Sequence, residues 1–177
     1  MTSVIIDAKS GVSGAGRGGS SAFGYAETNE DLMAYGLLKH AHLPEMIAAS
    51  GEIGGGGGAN KFQLMFTPHL IPMTRGILST CYVRSKATTQ QCLDAARAFY
   101  KDRPFVRVVE KPPHTKWALA SNLAFVSYAA DPERNLVIAM CACDNLGKGA
   151  AGQAIQNANL ITGQPETAGL DGMSLWP

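Results

Sequence analysis

Clustered charge is the first thing this sequence lacks. Only 16% of its 177 residues are charged, the 15 basic and 14 acidic side chains leave a net charge of +1, and the basic residues form no cluster. Nucleic acid and anionic membrane surfaces call for a concentrated positive field, so the expected partner is a small molecule or another protein. Long apolar runs are missing too: none approaches the ~20 residues of a membrane-spanning helix. The first residues do not follow the basic-then-apolar order of a secretory signal, and the expected setting is the cytoplasm or an organelle stroma. Cysteine is sparse, and Cys81, Cys92, Cys141 and Cys143 include no C-x-x-C pair of the kind a zinc site uses. All four read as reduced, mostly buried thiols, with neither a metal nor a disulfide expected.

Two nucleotide-binding loops are also absent. Gly14, Gly16 and Gly19 satisfy the spacing G-x-G-x-x-G, but that fingerprint needs a strand ending at its first glycine and an acid closing the next strand. Here the apolar run ends at Asp7, and the segment from Leu32 closes on Lys39 and His40. A phosphate loop of the Walker type is excluded by Ala142, which stands where its first glycine would precede Gly147-Lys148.

What is present is a loop built to hold something. Residues 7–19 hold five glycines, two serines and the cations Lys9 and Arg17, straight after the β-branched run Val4-Ile5-Ile6. Bare glycine backbone lets a ligand come close to N–H groups, and the serines and cations suit an acyl, carboxyl or phosphate group. With 46% hydrophobic residues, residues 1–177 are expected to form a single domain around one core.

Further along, Ala34 to Leu38 runs into His40-Ala41-His42 and then Pro44-Glu45, which suit a helix start. His42 falls just ahead of that helix, where a neutral imidazole able to exchange protons is favoured. Gly54 to Gly58 read as a hairpin tip or linker without chemistry. Residues 61–72 and 76–84 read as two long strands paired antiparallel. Thr88 and Gln91 make a capping box for a helix that buries Cys92, Leu93, Ala96, Phe99 and Tyr100. Residues 105–109, 123–128 and 135–143 supply further strands. The last of these feeds Asp144-Asn145, a glycine-rich turn and a helix whose small face of Ala151, Ala154, Ile155, Ala158 and Ile161 is expected to lie close to another layer. Long antiparallel strands with few helices indicate an α+β domain, a mixed and mainly antiparallel sheet with helices packed on one face.

Four stretches in this order, Ser10-Gly-Val-Ser-Gly-Ala-Gly-Arg17, His40-Ala-His-Leu-Pro-Glu45, Phe66-Thr-Pro-His-Leu-Ile-Pro-Met-Thr-Arg-Gly76 and Asp144-Asn-Leu-Gly-Lys-Gly-Ala-Ala-Gly-Gln-Ala-Ile-Gln-Asn157, resemble the N-acetyl-gamma-glutamyl-phosphate reductase family of arginine biosynthesis. The resemblance implies the catalytic and dimerisation domain, similar to the C-terminal domain of glyceraldehyde-3-phosphate dehydrogenase. An NADP-binding Rossmann domain and the Gly-Cys-Tyr-Pro-Thr motif of the nucleophilic cysteine would lie outside this chain, which alone is expected to be inactive. Implied roles are acid/base catalysis for His42, acyl-phosphate binding for Ser13, Gly14 and Arg17, and a hold on the nicotinamide of NADP for Asn145. The family usually has His-Arg-His where this chain has His40-Ala41-His42. A lysine-pathway relative acting on a carrier-bound acyl phosphate, and a non-catalytic dimerisation or ligand-binding module, are the alternatives; a homo-oligomer without a nucleic-acid or membrane partner is implied.

Overall fold

A computed structural model of the chain describes residues 2–16, 23–53 and 62–175. Its strands are β1 (Thr2–Ser10), β2 (Met33–Ala34), β3 (Phe62–Leu70), β4 (Ile77–Arg84), β5 (Val106–Val108), β6 (Ala124–Asp131) and β7 (Leu136–Cys143). Its helices are α1 (Tyr25–Thr28), α2 (Leu43–Ile53), α3 (Thr89–Phe99) and α4 (Gly152–Ile161). The strands form one mixed sheet in the order β2-β3-β1-β4-β7-β6-β5, the α+β architecture expected from the sequence. The glycine run Gly54 to Gly58 lies outside the described residues.

One pairing differs from expectation. β3 and β4 are not neighbours: β1 lies between them, parallel to β3 and antiparallel to β4. The connection between them makes no hairpin turn, because its backbone is taken by the glycine loop. Gly11 N–H donates to the Gly76 carbonyl and Val12 N–H to that of Met73, each at 2.9 Å. β1 therefore lies in the interior of the sheet and delivers its loop at the same end as the start of β4 and the end of β7.

Strand alternation gives the sheet two unlike faces. Cys81, Tyr128, Cys141 and Val137 share one face by register, and α3 packs there against β6 and β5. The capping box forms as read: Thr88 Oγ1 accepts from Gln91 N–H, and the Gln91 side chain accepts from Thr88 N–H. Leu93 and Ala96 are 4% and 5% exposed, whereas Phe99 stays 61% exposed. Burial of an aliphatic side chain such as Leu93 contributes roughly 1.5–3 kcal/mol.

On the other face Met65, Ile5, Tyr82 and Ile138 are successive cross-strand partners over β3, β1, β4 and β7. Among the described residues a short turn at Thr115–Ala118 covers this face near the loop end, where Trp117 meets the Phe125 ring at 5.7 Å. The rest is open: Ile5, Met65 and Leu136 are 42%, 51% and 41% exposed. A contiguous apolar row of this kind on a sheet calls for a partner surface, and a second copy supplies a self-complementary one. The chain is expected to sediment as a dimer or larger at tens of micromolar. Ile5→Glu, at a position exposed enough to tolerate charge in a monomer, should shift it to monomer with its circular dichroism unchanged; a monomeric wild type would contradict the assignment.

Candidate functional site

Gly11 decides how closely the loop after β1 approaches the β3–β4 connection. A Cβ at that position would stand 2.8 Å from the carbonyl oxygens of both Met73 and Thr74, so only glycine fits. The close approach lets Ser13 N–H donate to the Thr74 carbonyl at 3.1 Å. Residues Val12–Ala15 then form a single 3-10 turn that carries Ser13, half-buried, and Gly14, exposed.

The same end of the sheet receives Asp144 and Asn145 from β7. Asp144 is fully buried. Its Oδ1 accepts from Arg75 at 3.0 Å, from Leu146 N–H at 2.8 Å and from Gly147 N–H at 2.9 Å, while Oδ2 accepts from Ala120 N–H at 2.6 Å. Burial pushes this carboxyl up, but the hydrogen bonds from Arg75, Ala120, Gly147 and Leu146 together outweigh it and hold its pKa below the ordinary carboxylate value. Asn145, 5% exposed, bridges the two loops: its Oδ1 accepts from Gly76 N–H at 2.8 Å and its Nδ2 donates to Ser13 Oγ at 2.9 Å.

Of the residues singled out in the sequence, the fold brings Ser13, Gly14 and Asn145 together. A Cβ on Gly14 would lie 3.5 Å from Asn145 Nδ2, which places bare backbone beside an amide donor. Arg17 lies outside the described residues. Lys9, read as a possible anion ligand, is committed elsewhere: its Nζ meets Asp7 Oδ1 at 2.6 Å on the open face of the sheet. His42 has no described hydrogen bond or ring contact to this group. It stands exposed at the start of α2, where its carbonyl accepts from Met46 N–H at 3.0 Å.

The two histidines are not equivalent. His42 N–H donates to His40 Nδ1 at 3.2 Å, which fixes His40 as an acceptor at that nitrogen and hence neutral. The His40 ring is wedged against Phe66 at 5.1 Å and Tyr35 at 5.6 Å. Burial, and after it the neighbouring His42, lowers the His40 pKa. His40 is therefore a packing residue, and His42 the exposed one.

None of the four cysteines is a ready nucleophile. All are free thiols, and burial pushes Cys141 up to about 12 and Cys143 up to about 11, with the neighbouring charges of Cys143 and Asp144 adding respectively. Burial raises Cys81 and Cys92 as well. No metal-binding group of His, Cys, Asp and Glu occurs among the described residues.

Sequence reasoning missed Arg75 and the working side of α4. Arg75 and Asp144 stand in two of the quoted motifs with opposite charge, the one signal that could have paired them. The small-residue face of α4 does not pack: Ile155 and Ile161 are 46% and 85% exposed. Gln156 is the buried residue. Its Oε1 accepts from Asn122 Nδ2 at 3.0 Å and from Lys148 Nζ at 2.5 Å, and its Nε2 donates to Glu166 at 2.6 Å. Gly152 makes this possible, since a Cβ there would sit 2.3 Å from Asn122 Oδ1.

Residues 1–145 match the family described as semialdehyde dehydrogenase, dimerisation domain. An N-acetyl-gamma-glutamyl-phosphate reductase from Bradyrhizobium sp. is 67% identical over 98% of this chain and 53% of its own length. Another of that name, from Heliobacterium modesticaldum, is 43% identical over 98% of this chain and 51% of its own. The chain thus spans about half the length of the curated relatives it matches. Among solved structures, aspartate semialdehyde dehydrogenase II from Vibrio cholerae superposes with a TM-score of 0.67 at 16% identity, over 90% of this chain and 54% of that one. That likeness shows the fold.

The Asp144 hub generates a stability prediction. Asp144→Asn removes the charge opposite Arg75 and sets an amide donor against Ala120 N–H. Breaking a fully buried pair costs about 3–5 kcal/mol; with Arg75 one-third exposed, a loss of roughly 2–4 kcal/mol in denaturant unfolding is expected. The folded carboxyl lies below its unfolded value, so its contribution is full above the ordinary carboxylate pKa and disappears as pH falls through the folded value. Asp144→Asn should accordingly show a shallower loss of stability in acid than the wild type; parallel pH curves would contradict the hub.

Proposed function

We propose that this chain, which belongs to the semialdehyde dehydrogenase dimerisation-domain family, is the C-terminal catalytic and dimerisation half of an N-acetyl-gamma-glutamyl-phosphate reductase. The whole protein would reduce N-acetyl-glutamyl 5-phosphate to N-acetyl-glutamate 5-semialdehyde with NADPH, as a homo-oligomer in the cytoplasm. The observation that carries this reading is 67% identity over 98% of the chain to a relative of that name. It is supported by Ser13, Gly14 and Asn145 meeting at one end of the sheet while the apolar row on the open face remains exposed for a second copy.

The residues present fit a nicotinamide coenzyme at this corner. Among the described residues Asn145 has one amide hydrogen left after serving Ser13, and the adjoining Gly14 has no side chain to block a planar amide. NADPH, when bound, supplies a hydride. Its dinucleotide part and the nucleophilic thiol are assigned to the half of the protein that this chain does not span. Ser13 and the backbone at Gly14 would hold the acyl-phosphate oxygens, and Arg17 would neutralise their charge. His42 would take up the thiol proton and later return a proton to the developing alkoxide oxygen, a role open to an exposed imidazole and closed to the packed His40.

In the full-length protein, His42→Asn is expected to lower kcat by about 10²–10⁴ with little change in KM. His40→Asn should cost mainly thermal stability, because it removes a ring packed on Phe66 and Tyr35. Steady-state kinetics and melting curves of the two variants decide it. An equal or larger loss of turnover at His40 would assign the proton transfer to the wrong histidine. The 177-residue chain alone should reduce no acyl phosphate with NADPH, and activity of the purified chain would overturn the division of labour.

A further inference from the structure

From the hydrogen bonds that meet at Asn145 we infer that this residue is a positioning residue for Ser13, which it turns into a hydrogen-bond donor aimed at an acyl or phosphate oxygen of the ligand. The inference rests on the acyl-phosphate reading of the site and adds a direction to it. An Asn amide can be placed either way round, and its role depends on which end faces which neighbour. Here the choice is forced. Gly76 offers Asn145 a backbone N–H, which can only donate, so the amide oxygen must face Gly76 at 2.8 Å. The amide nitrogen must then face Ser13, and at 2.9 Å the Ser13 hydroxyl is the acceptor of that bond.

A hydroxyl carries one hydrogen, and Ser13 does not need it for Asn145. No acceptor for that hydrogen occurs among the described residues, and Ser13 is only half-buried. Among the described residues that hydrogen is left for a ligand oxygen. Accepting one hydrogen bond also polarises the O–H for donating the next. The backbone behind the relay is rigid: Gly76 N–H lies beside the Asp144–Arg75 pair, and Ser13 N–H is held by the Thr74 carbonyl. The direction Gly76 to Asn145 to Ser13 to ligand is thus set by a group that cannot reverse.

The test is a double-mutant cycle in the full-length protein with N-acetyl-glutamyl phosphate and NADPH, using Ser13→Ala, Asn145→Ala, the double variant and Ser13→Thr. Ser13→Ala is expected to raise KM for the acyl phosphate about ten-fold, the worth of one hydrogen bond to a charged oxygen. Asn145→Ala should raise it by a similar factor in the wild-type background and not at all on top of Ser13→Ala, while Ser13→Thr, which keeps the hydroxyl, restores it. Multiplying effects, or an unchanged KM in Ser13→Ala, would overturn the relay. KM for NADPH is a separate readout, because it reports only a direct contact of Asn145 with the coenzyme. A wild type that reduces no acyl phosphate would refute the function and not the relay. The relay is then read in the 177-residue chain from the Asn145 side-chain amide signals in 15N NMR, which also serves if Asn145→Ala does not fold. One amide proton should be shifted and slow to exchange in wild type and Ser13→Thr, and lose both features in Ser13→Ala; signals indifferent to Ser13 would overturn it.

Discussion

A carboxylate that no water reaches must take all its hydrogen bonds from the protein, and Asp144 takes them from three separate stretches of chain. Arg75 comes from the β3–β4 connection, Ala120 from the turn ahead of β6, and Leu146 and Gly147 from the turn that leads to α4. Charge-assisted bonds of this kind are about twice as strong as neutral ones, and an unpaired buried charge is costly enough that no partner can swing away. The corner of the sheet where Ser13, Gly14 and Asn145 meet is consequently held from behind, and the amide of Asn145 inherits its orientation from Gly76, the neighbour of Arg75.

The sheet divides the remaining work between its faces. α3 closes one face with a capped, amphipathic helix, and the cysteines under and beside it are kept protonated by burial. The other face keeps its apolar row open across four strands. Such a face is stable in isolation only at the expense of exposed hydrophobic area, which is why a second copy is its natural cover. α4 behaves in a related way: its inner side is a polar knot around Gln156, and its aliphatic side faces outward.

The pair His40 and His42 illustrates how two like residues, two positions apart, are separated by geometry. One ring packs between Phe66 and Tyr35 and accepts a backbone hydrogen bond; the other is exposed just ahead of α2, edge-on to the His40 ring at 4.8 Å. Their place ahead of Pro44 and Glu45 favours His42, the nearer to the helix start. The packing of His40 depends on Phe66, which belongs to β3 and is brought alongside by the sheet.

What the sequence by itself determined is local in origin. β-branched runs and alternation marked the long strands, Thr88 and Gln91 marked the start of α3, and the glycine-serine loop after β1 marked the candidate site, because each depends on the few residues around it. The four ordered motifs were enough to point to the family. Tertiary structure alone decided that β1 lies between β3 and β4, since the alternative pairing is equally good by alternation and only the docking of Gly11 and Val12 on residues 73–76 excludes it. It also decided that Gln156 is buried and Ile161 exposed: polarity along α4 says the reverse, and only the neighbours Asn122, Lys148 and Glu166 make a buried amide cheaper than a solvated one. The partnership of Arg75 with Asp144, and the direction of the bond from Asn145 to Ser13, join positions far apart in the chain. Periodicity and spacing describe what a residue is next to in sequence; which donor a buried acceptor meets is fixed only when the chain closes on itself.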